Sequence, residues 1–315
     1  MGMPVSAVDL HAAGSAHALR GEWAEAETFF RRALAAEPGD AVVRHALAVS
    51  LLGQGRYREG FPLYAHRTEV PALRVAKPNA PWPQWKGEDL KGRGVVLFPE
   101  QGLGDQIMLA RFAPVLRERG ADVTLLCSPA LERLFSSSLG VRVIAASGAV
   151  EFPDPDFWAL IGDLPGLLEI DVEDLKAEPY LRAPAISSGG IGLARRGNPR
   201  HANDANRSLP LELVIPFDTV SLSPEDTGAA DFLDTAEIVA GLDCVISVDT
   251  SVAHLAGALG KPCFVMLPSV GADWRWMTGQ QHTPWYPSMS LFRQGRGENW
   301  SNVLARLANC LPPHK

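Results

Sequence analysis

The 315-residue sequence has no apolar run near the ~18 residues that a membrane-crossing helix needs. Residues 1–23 lack a basic stretch followed by an apolar one, so they do not read as a signal peptide. Cysteine is scarce: Cys127, Cys244, Cys263 and Cys310 stand far apart, with no C-x-x-C pair. Three of them sit in apolar runs, as small buried hydrophobes of a reducing compartment do, which argues against a structural zinc site. Positive charge is not in excess, since 29 Lys and Arg against 36 Asp and Glu leave a net charge of −7. Such a chain has no bulk attraction for nucleic acid or an anionic membrane. Neither a Walker loop nor a nucleophile elbow occurs. What remains is a composition ordinary for a soluble protein, with a cytoplasmic location expected and length enough for two or three domains.

Residues 1–70 carry an internal repeat. GEWAEAETFFRRAL and GRYREGFPLYAHRT begin at Gly21 and Gly55, 34 residues apart, each after an apolar helical stretch. Ala26, Phe30 and Ala33 recur at helical spacing before Pro38, which stops a helix. The pattern resembles the tetratricopeptide repeat, a helix–turn–helix with glycine at the turn. The second copy departs from it, with Gly60 where Ala is usual and Arg67 where a small residue is usual. Two copies cannot bury their faces alone, so this all-α block should pack on the domain that follows. It either binds a peptide or serves as a structural cap.

Residues 71–92 are Pro-rich and aperiodic, which reads as a linker or a surface-wrapping segment. Beyond them strands alternate with helices. In 93–185, GVVLFPE, DVTLLC, VRVIAA and FWALI read as strands, with helices at Asp105–Arg119 and PALERLFSSS. In 186–315, GGIGLA, FDTVSL, CVISV and PCFVML read as strands, and LPLELV, DTAEIVAGL, SVAHLAGALG and WSNVLARLANCL as helices. Two such series predict two Rossmann-like α/β lobes with parallel sheets facing across a cleft, with ligands beyond the carboxyl ends of the strands.

Three motifs could carry chemistry there. In PEQGLGDQIMLARF (99–112), Gly102 and Gly104 let backbone approach a ligand, and Asp105 either caps its helix or faces the cleft as a general base. Ile107 stands in the third glycine's place, so this is no dinucleotide fingerprint. In CVISVDTSVAHLAGALGKP (244–262), a strand delivers Asp249, Thr250 and Ser251 to a helix N-terminus suited to an anion. Asp249 beside such a site suits sugar hydroxyls, and His254 either points at the same site or is a core histidine. GNPRHANDANRS (197–208) is a long polar loop, either solvated or functional, in which Arg207 offers a fork suited to phosphate. Asp154-Pro155-Asp156 has a D-x-D form but reads as a Pro-rich turn. Trp274, Trp276, Trp285 and Tyr286 either stack on a sugar or acceptor or pack the crossover to the last helix.

Taken in order, GLGD before an apolar helix, GNPRHANDANRS and VDTSVAHLAGALGKP strongly resemble the bacterial tetratricopeptide-repeat glycosyltransferases related to the heptosyltransferases. DWRW (273–276) and TPWYPSMSLFRQ (283–294) fit the same C-terminal region, so the resemblance covers nearly the whole chain. It implies two lobes of the GT-B type. The lobe at 93–185 would face the acceptor, and the lobe at 186–315 would hold the donor nucleotide, with the final helix crossing back. It implies inverting transfer from a nucleotide-diphosphate sugar to a protein or glycan hydroxyl, with no metal and no cofactor. By position, Asp105 would be the base and Asp249 would hold the donor sugar. Arg207, Thr250, Ser251, Val252 and His254 would meet the donor phosphates. Gly102, Gly104, Gln106, Asn198 and His201 would line the cleft. Arg195 and Arg196 replace an apolar or aromatic pair often found before GNP, and the 223–231 loop is short. These departures leave open a catalytically weakened relative acting as an adaptor. A sugar-nucleotide epimerase fits the motif order less well.

Overall fold

The computed structural model describes residues 5–176, 178–186 and 189–311. Four helices come first: α1 (Ala7–Leu19), α2 (Trp23–Ala36), α3 (Ala41–Gly53) and α4 (Tyr57–Tyr64). The second pair starts 34 residues after the first, as the repeat predicts. Gly21 and Gly55 adopt φ of 71° and 77°, the left-handed conformation that the turn within each pair requires. The departure at Gly60 is a packing solution, because a Cβ there would lie 2.7 Å from a Leu52 methyl.

The first lobe contains β1 (Gly94–Phe98), α5 (Leu103–Ala110), α6 (Phe112–Glu118), β2 (Asp122–Cys127), α7 (Glu132–Ser138), β3 (Arg142–Ala145), β4 (Phe157–Leu160) and α8 (Leu164–Leu167). Its strands are all parallel, in the order β3-β2-β1-β4. The 71–92 segment wraps this lobe: Trp85 N–H donates to Trp158 O (2.8 Å) and Trp158 N–H to Pro83 O (3.1 Å). The second lobe contains β5 (Ile191–Ala194), α9 (Asp204–Arg207), β6 (Val220–Ser221), α10 (Pro224–Thr227), α11 (Phe232–Gly241), β7 (Cys244–Val248), α12 (Ser251–Ala258), β8 (Cys263–Leu267), β9 (Met289–Arg293) and α13 (Trp300–Ala308). Its parallel order is β6-β5-β7-β8-β9. The chain is thus an all-α block followed by two α/β lobes with parallel sheets. Strand order reverses between β1 and β4, and again between β5 and β7. The loops beyond those strands are where such sheets bind ligands.

Several elements differ from the sequence expectation. The helix expected over Asp105–Arg119 is two helices, because Pro114 has no N–H to give the Ala110 carbonyl. LPLELV is turn and coil, since one Arg195 guanidinium nitrogen donates to the carbonyls of Pro210 (2.7 Å) and Leu213 (3.1 Å). FDTVSL contributes only Val220–Ser221 to the sheet. Strand β9 lies behind the Pro-rich TPWYP and was not expected. The final helix packs Val303, Leu304 and Leu307 against Ile246, Val248 and Met266 of the second sheet, rather than crossing back to the first lobe. Among the described residues, no helix is long and apolar enough to cross a membrane.

The repeat block is wedged across both lobes. Arg67 is fully buried, and its Nε and one terminal nitrogen donate to Glu100 (2.9 and 2.6 Å) while the other lies 2.7 Å from Asp163 Oδ1. Gly162 makes room, since a Cβ there would lie 1.9 Å from Glu100 Oε1. On the second lobe, Trp285 Nε1 donates to the Tyr57 hydroxyl (2.9 Å), Gly271 N–H to Leu19 O (2.7 Å) and the Thr278 hydroxyl to Gly21 O (2.8 Å). One apolar core runs from Leu52 and Phe61 through Leu97 and Ile107 to Val245 and Trp285. Arg67→Met would leave Glu100 and Asp163 buried without their cation, which costs about 3–5 kcal/mol. Urea unfolding should show that loss, and an unchanged unfolding free energy would remove Arg67 as the anchor.

Candidate functional site

A cavity of about 240 Å³ lies between the lobes, beyond the carboxyl ends of β1, β5, β7 and β8. There the N-termini of α5 and α12 meet closely. A Cβ on Gly104 would lie 2.7 Å from His254 Cδ2 and 3.4 Å from Ser251 Cα, so only glycine allows this approach.

Asp105 caps its helix and also lines the cavity. Oδ2 accepts from Gly102 N–H (2.9 Å), closing the cap of α5, while Oδ1 accepts from the Arg275 guanidinium at the cavity wall. Sequence reasoning missed Arg275 and its neighbour Asp273. Arg275 donates to both oxygens of Asp273 (2.8 and 2.9 Å) and lies 4.5 Å from the Trp274 ring centroid. Their only sequence signal was the alternation of charge and aromatic in DWRW, beyond the end of a strand.

Asp249 lines the cavity, and its backbone carbonyl accepts from Arg207 (2.8 Å). Burial, reinforced by the nearby Asp273, pushes its carboxyl up to about 6, with Arg207 and Arg275 opposing. Burial would also raise Asp273, but Arg275 overrides it and holds that carboxyl below its ordinary value. The Arg207 guanidinium is laid over Gly197, where a Cβ would lie 2.4 Å from it. Thr250 and Ser251 line the cavity at the start of α12. The Val252 N–H donates to the Thr250 side chain (3.0 Å), capping α12, and Val252 lines the adjoining hollow.

His254 is a buried wall of the cavity. Its Nδ1 lies 3.0 Å from the Tyr286 hydroxyl, its ring packs 5.3 Å from that of Trp276, and burial pushes it down to about 3. It therefore lines the cavity as a neutral imidazole. His201 and Asn198 also line the cavity, and His201 Nδ1 accepts from Asn203 N–H (3.1 Å). Asn203 ties this loop to the next by donating to Val270 O and Gly271 O (3.1 and 2.9 Å). Gln106 instead turns into the first lobe, exchanging hydrogen bonds with Ser128 (both 2.9 Å), which corrects its placement in the cleft. Trp276, Trp285 and Tyr286 are buried packing groups, and Asp154 accepts from Trp82 Nε1 (2.6 Å) at the surface. Among the described residues, no three His, Cys, Asp or Glu side chains converge to hold a metal ion.

Two larger hollows open from the cavity. One of about 650 Å³ shares Leu103, Thr250 and Ser251 with it and runs past Arg195 and Arg196 to Glu225 and Asp226. The other, about 660 Å³, shares Asp105 and Arg275 and runs over the repeat helices past Leu19, His45 and Tyr64. Asp105 thus stands at one junction, and the start of α12 at the other.

The tetratricopeptide repeat family matches residues 7–50. Protein FlbA of Caulobacter vibrioides is 28% identical, over 86% of this chain and 55% of FlbA, so the chain spans about half the length of that curated relative. Among solved structures, the glycosyl transferase family 9 protein of Veillonella parvula is 10% identical with a TM-score of 0.44, over 73% of this chain and 93% of that one. The iron-containing dodecameric glycosyltransferase TibC of enterotoxigenic E. coli is 14% identical with a TM-score of 0.42, over 63% of each.

The folded-state pKa of Asp249 is raised above its unfolded value. Its favourable contribution is therefore complete below about pH 4 and lost as pH rises through about 6. Asp249→Asn should match wild-type stability near pH 4 and exceed it by about 3 kcal/mol at pH 8. Urea unfolding at the two pH values checks this, and an equal effect at both would place the carboxyl in an ordinary environment.

Proposed function

We propose that this chain is an inverting glycosyltransferase that moves a sugar from a nucleotide-diphosphate donor to a hydroxyl presented from the repeat side. The observation that supports this best is the line of three hollows, with a carboxylate at the first junction and a helix N-terminus at the second. Glycosyl transfer passes through an oxocarbenium-like state and needs a base for the attacking hydroxyl and a clamp for the departing diphosphate. Asp105 is the base. The start of α12, through Thr250 and Ser251, and Arg207 meet the charge of the diphosphate without a metal. Asp249 holds the sugar between them, and the nucleoside lies in the hollow beside Arg195 and Arg196. The hydroxyl arrives from the repeat groove, opposite the leaving group, so the anomeric centre inverts. The groove admits an extended protein segment as acceptor, with a glycan as the alternative.

One observation favours an adaptor instead. Arg195 is committed to backbone carbonyls, and Glu225 and Asp226 add negative charge to the hollow assigned to the nucleoside. A thermal-shift panel of UDP, GDP, ADP, CDP and dTDP separates the two readings. Ligand at ~100 Kd should add about 2.7 kcal/mol of stability, and Arg207→Ala should weaken the response. No shift with any of the five, in folded protein, would favour the adaptor. In the enzyme, Asp105→Ala should lower turnover ~10²–10⁴-fold with nucleotide binding retained. Wild-type turnover by that variant would take the base role from Asp105.

A further inference from the structure

Arg275 stands where the repeat groove joins the central cavity, and all three parts of the molecule converge on it. Its side chain is 7% exposed. One terminal nitrogen meets Asp105 of the first lobe, and the other meets both oxygens of Asp273 in the second. Its guanidinium faces the Trp274 ring, and that ring packs edge-on against Tyr57 and Phe61 of α4, with centroids 6.2 and 5.9 Å away. The backbone is pinned as well: Arg275 N–H donates to Asp273 Oδ1 (3.0 Å), and the Thr283 hydroxyl donates to Arg275 O (3.1 Å). Its buried Nε has no acceptor among the described residues, so part of the guanidinium's hydrogen-bonding capacity is left unmet.

We propose that Arg275 is a positioning residue for the transfer, holding the Asp105 carboxylate at the junction while Trp274 and repeat helix α4 brace the guanidinium. This rests on Asp105 being the base. One Asp105 oxygen is fixed by the cap of α5, and the rigid fork of Arg275 fixes the other. A lysine keeps the charge but not the fork. The repeat block is then part of the transfer machinery, in addition to any acceptor it holds.

The test uses the full chain with UDP-, GDP-, ADP-, CDP- and dTDP-glucose and follows release of the nucleoside diphosphate, with water as acceptor. Arg275→Met is expected to lower kcat about 10–100-fold, as displacement of a catalytic group by ~1 Å does, with the donor KM within about threefold. Arg275→Lys should recover part of that loss. Trp274→Leu, which removes the ring face but keeps an apolar side chain, should lower kcat in the same sense. Wild-type kcat in Arg275→Met, or a change confined to KM, overturns the positioning role alone, and wild-type kcat in Trp274→Leu overturns the brace. If the wild type releases diphosphate from none of the five, the transfer reading falls and this role with it. A urea cycle of Asp105→Asn, Arg275→Met and the double variant tests the tie without turnover. Coupled residues give a double variant with the midpoint of Arg275→Met, whereas additive losses overturn the tie. If Arg275→Met does not fold, the same cycle with Arg275→Lys decides.

Discussion

The arrangement of this molecule depends on one buried cation. Arg67 leaves the repeat block and ends between Glu100 and Asp163, beyond the carboxyl ends of β1 and β4. Glu100 is five residues before Asp105, and the intervening Gln101 sits at a φ of 59° with its amide donating to the Tyr64 hydroxyl (2.7 Å). The loop that leads to Asp105 is therefore held at two consecutive positions, Glu100 and Gln101, by residues of the repeat block. A buried ion pair of this kind contributes little net stability over a well-packed apolar substitute. What it fixes is register, because three oxygens around one guanidinium admit a single docking of the helices on the sheet.

The same residue shows how far the sequence could be read. Arg67 looked like decay of the repeat, because a single sequence shows only that a small residue is missing. Its purpose depends on Glu100 and Asp163, neither of which the repeat pattern contains. The 34-residue spacing, the turn glycines and the alternation of strand with helix were legible because each is a local pattern. LPLELV has a helical pattern too, but Arg195 takes its carbonyls, and tertiary structure prevails. Strand β9 was hidden by the prolines before it.

In the candidate site, legibility followed the same division. Asp105, Asp249, Thr250 and Ser251 lie beside strand ends and helix starts, Arg207 ends the short helix of a polar loop, and the fold brings them together around one cavity. Arg275 was invisible because its partner Asp105 is 170 residues away. Gln106 was misplaced for a finer reason, the direction of one side chain. His254 shares in both of its readings, a buried ring between Tyr286 and Trp276 that also lines the cavity.

The contacts of the repeat block on the second lobe also bear on how the protein is made. Tyr57 meets Trp285 across 228 positions of chain, and Gly21 meets Thr278 across 257. At roughly 5–20 residues per second, the first of those separations is on the order of 10–50 s of synthesis. The repeat helices leave the ribosome well before the second lobe that covers them. Through that interval Tyr57 and Phe61 lack the partners that the second lobe provides, Trp274 and Trp285. Long-range closure of this kind is slow and open to aggregation. A helical segment that would pack on its neighbours in a long repeat array here waits for a lobe more than 200 residues further along.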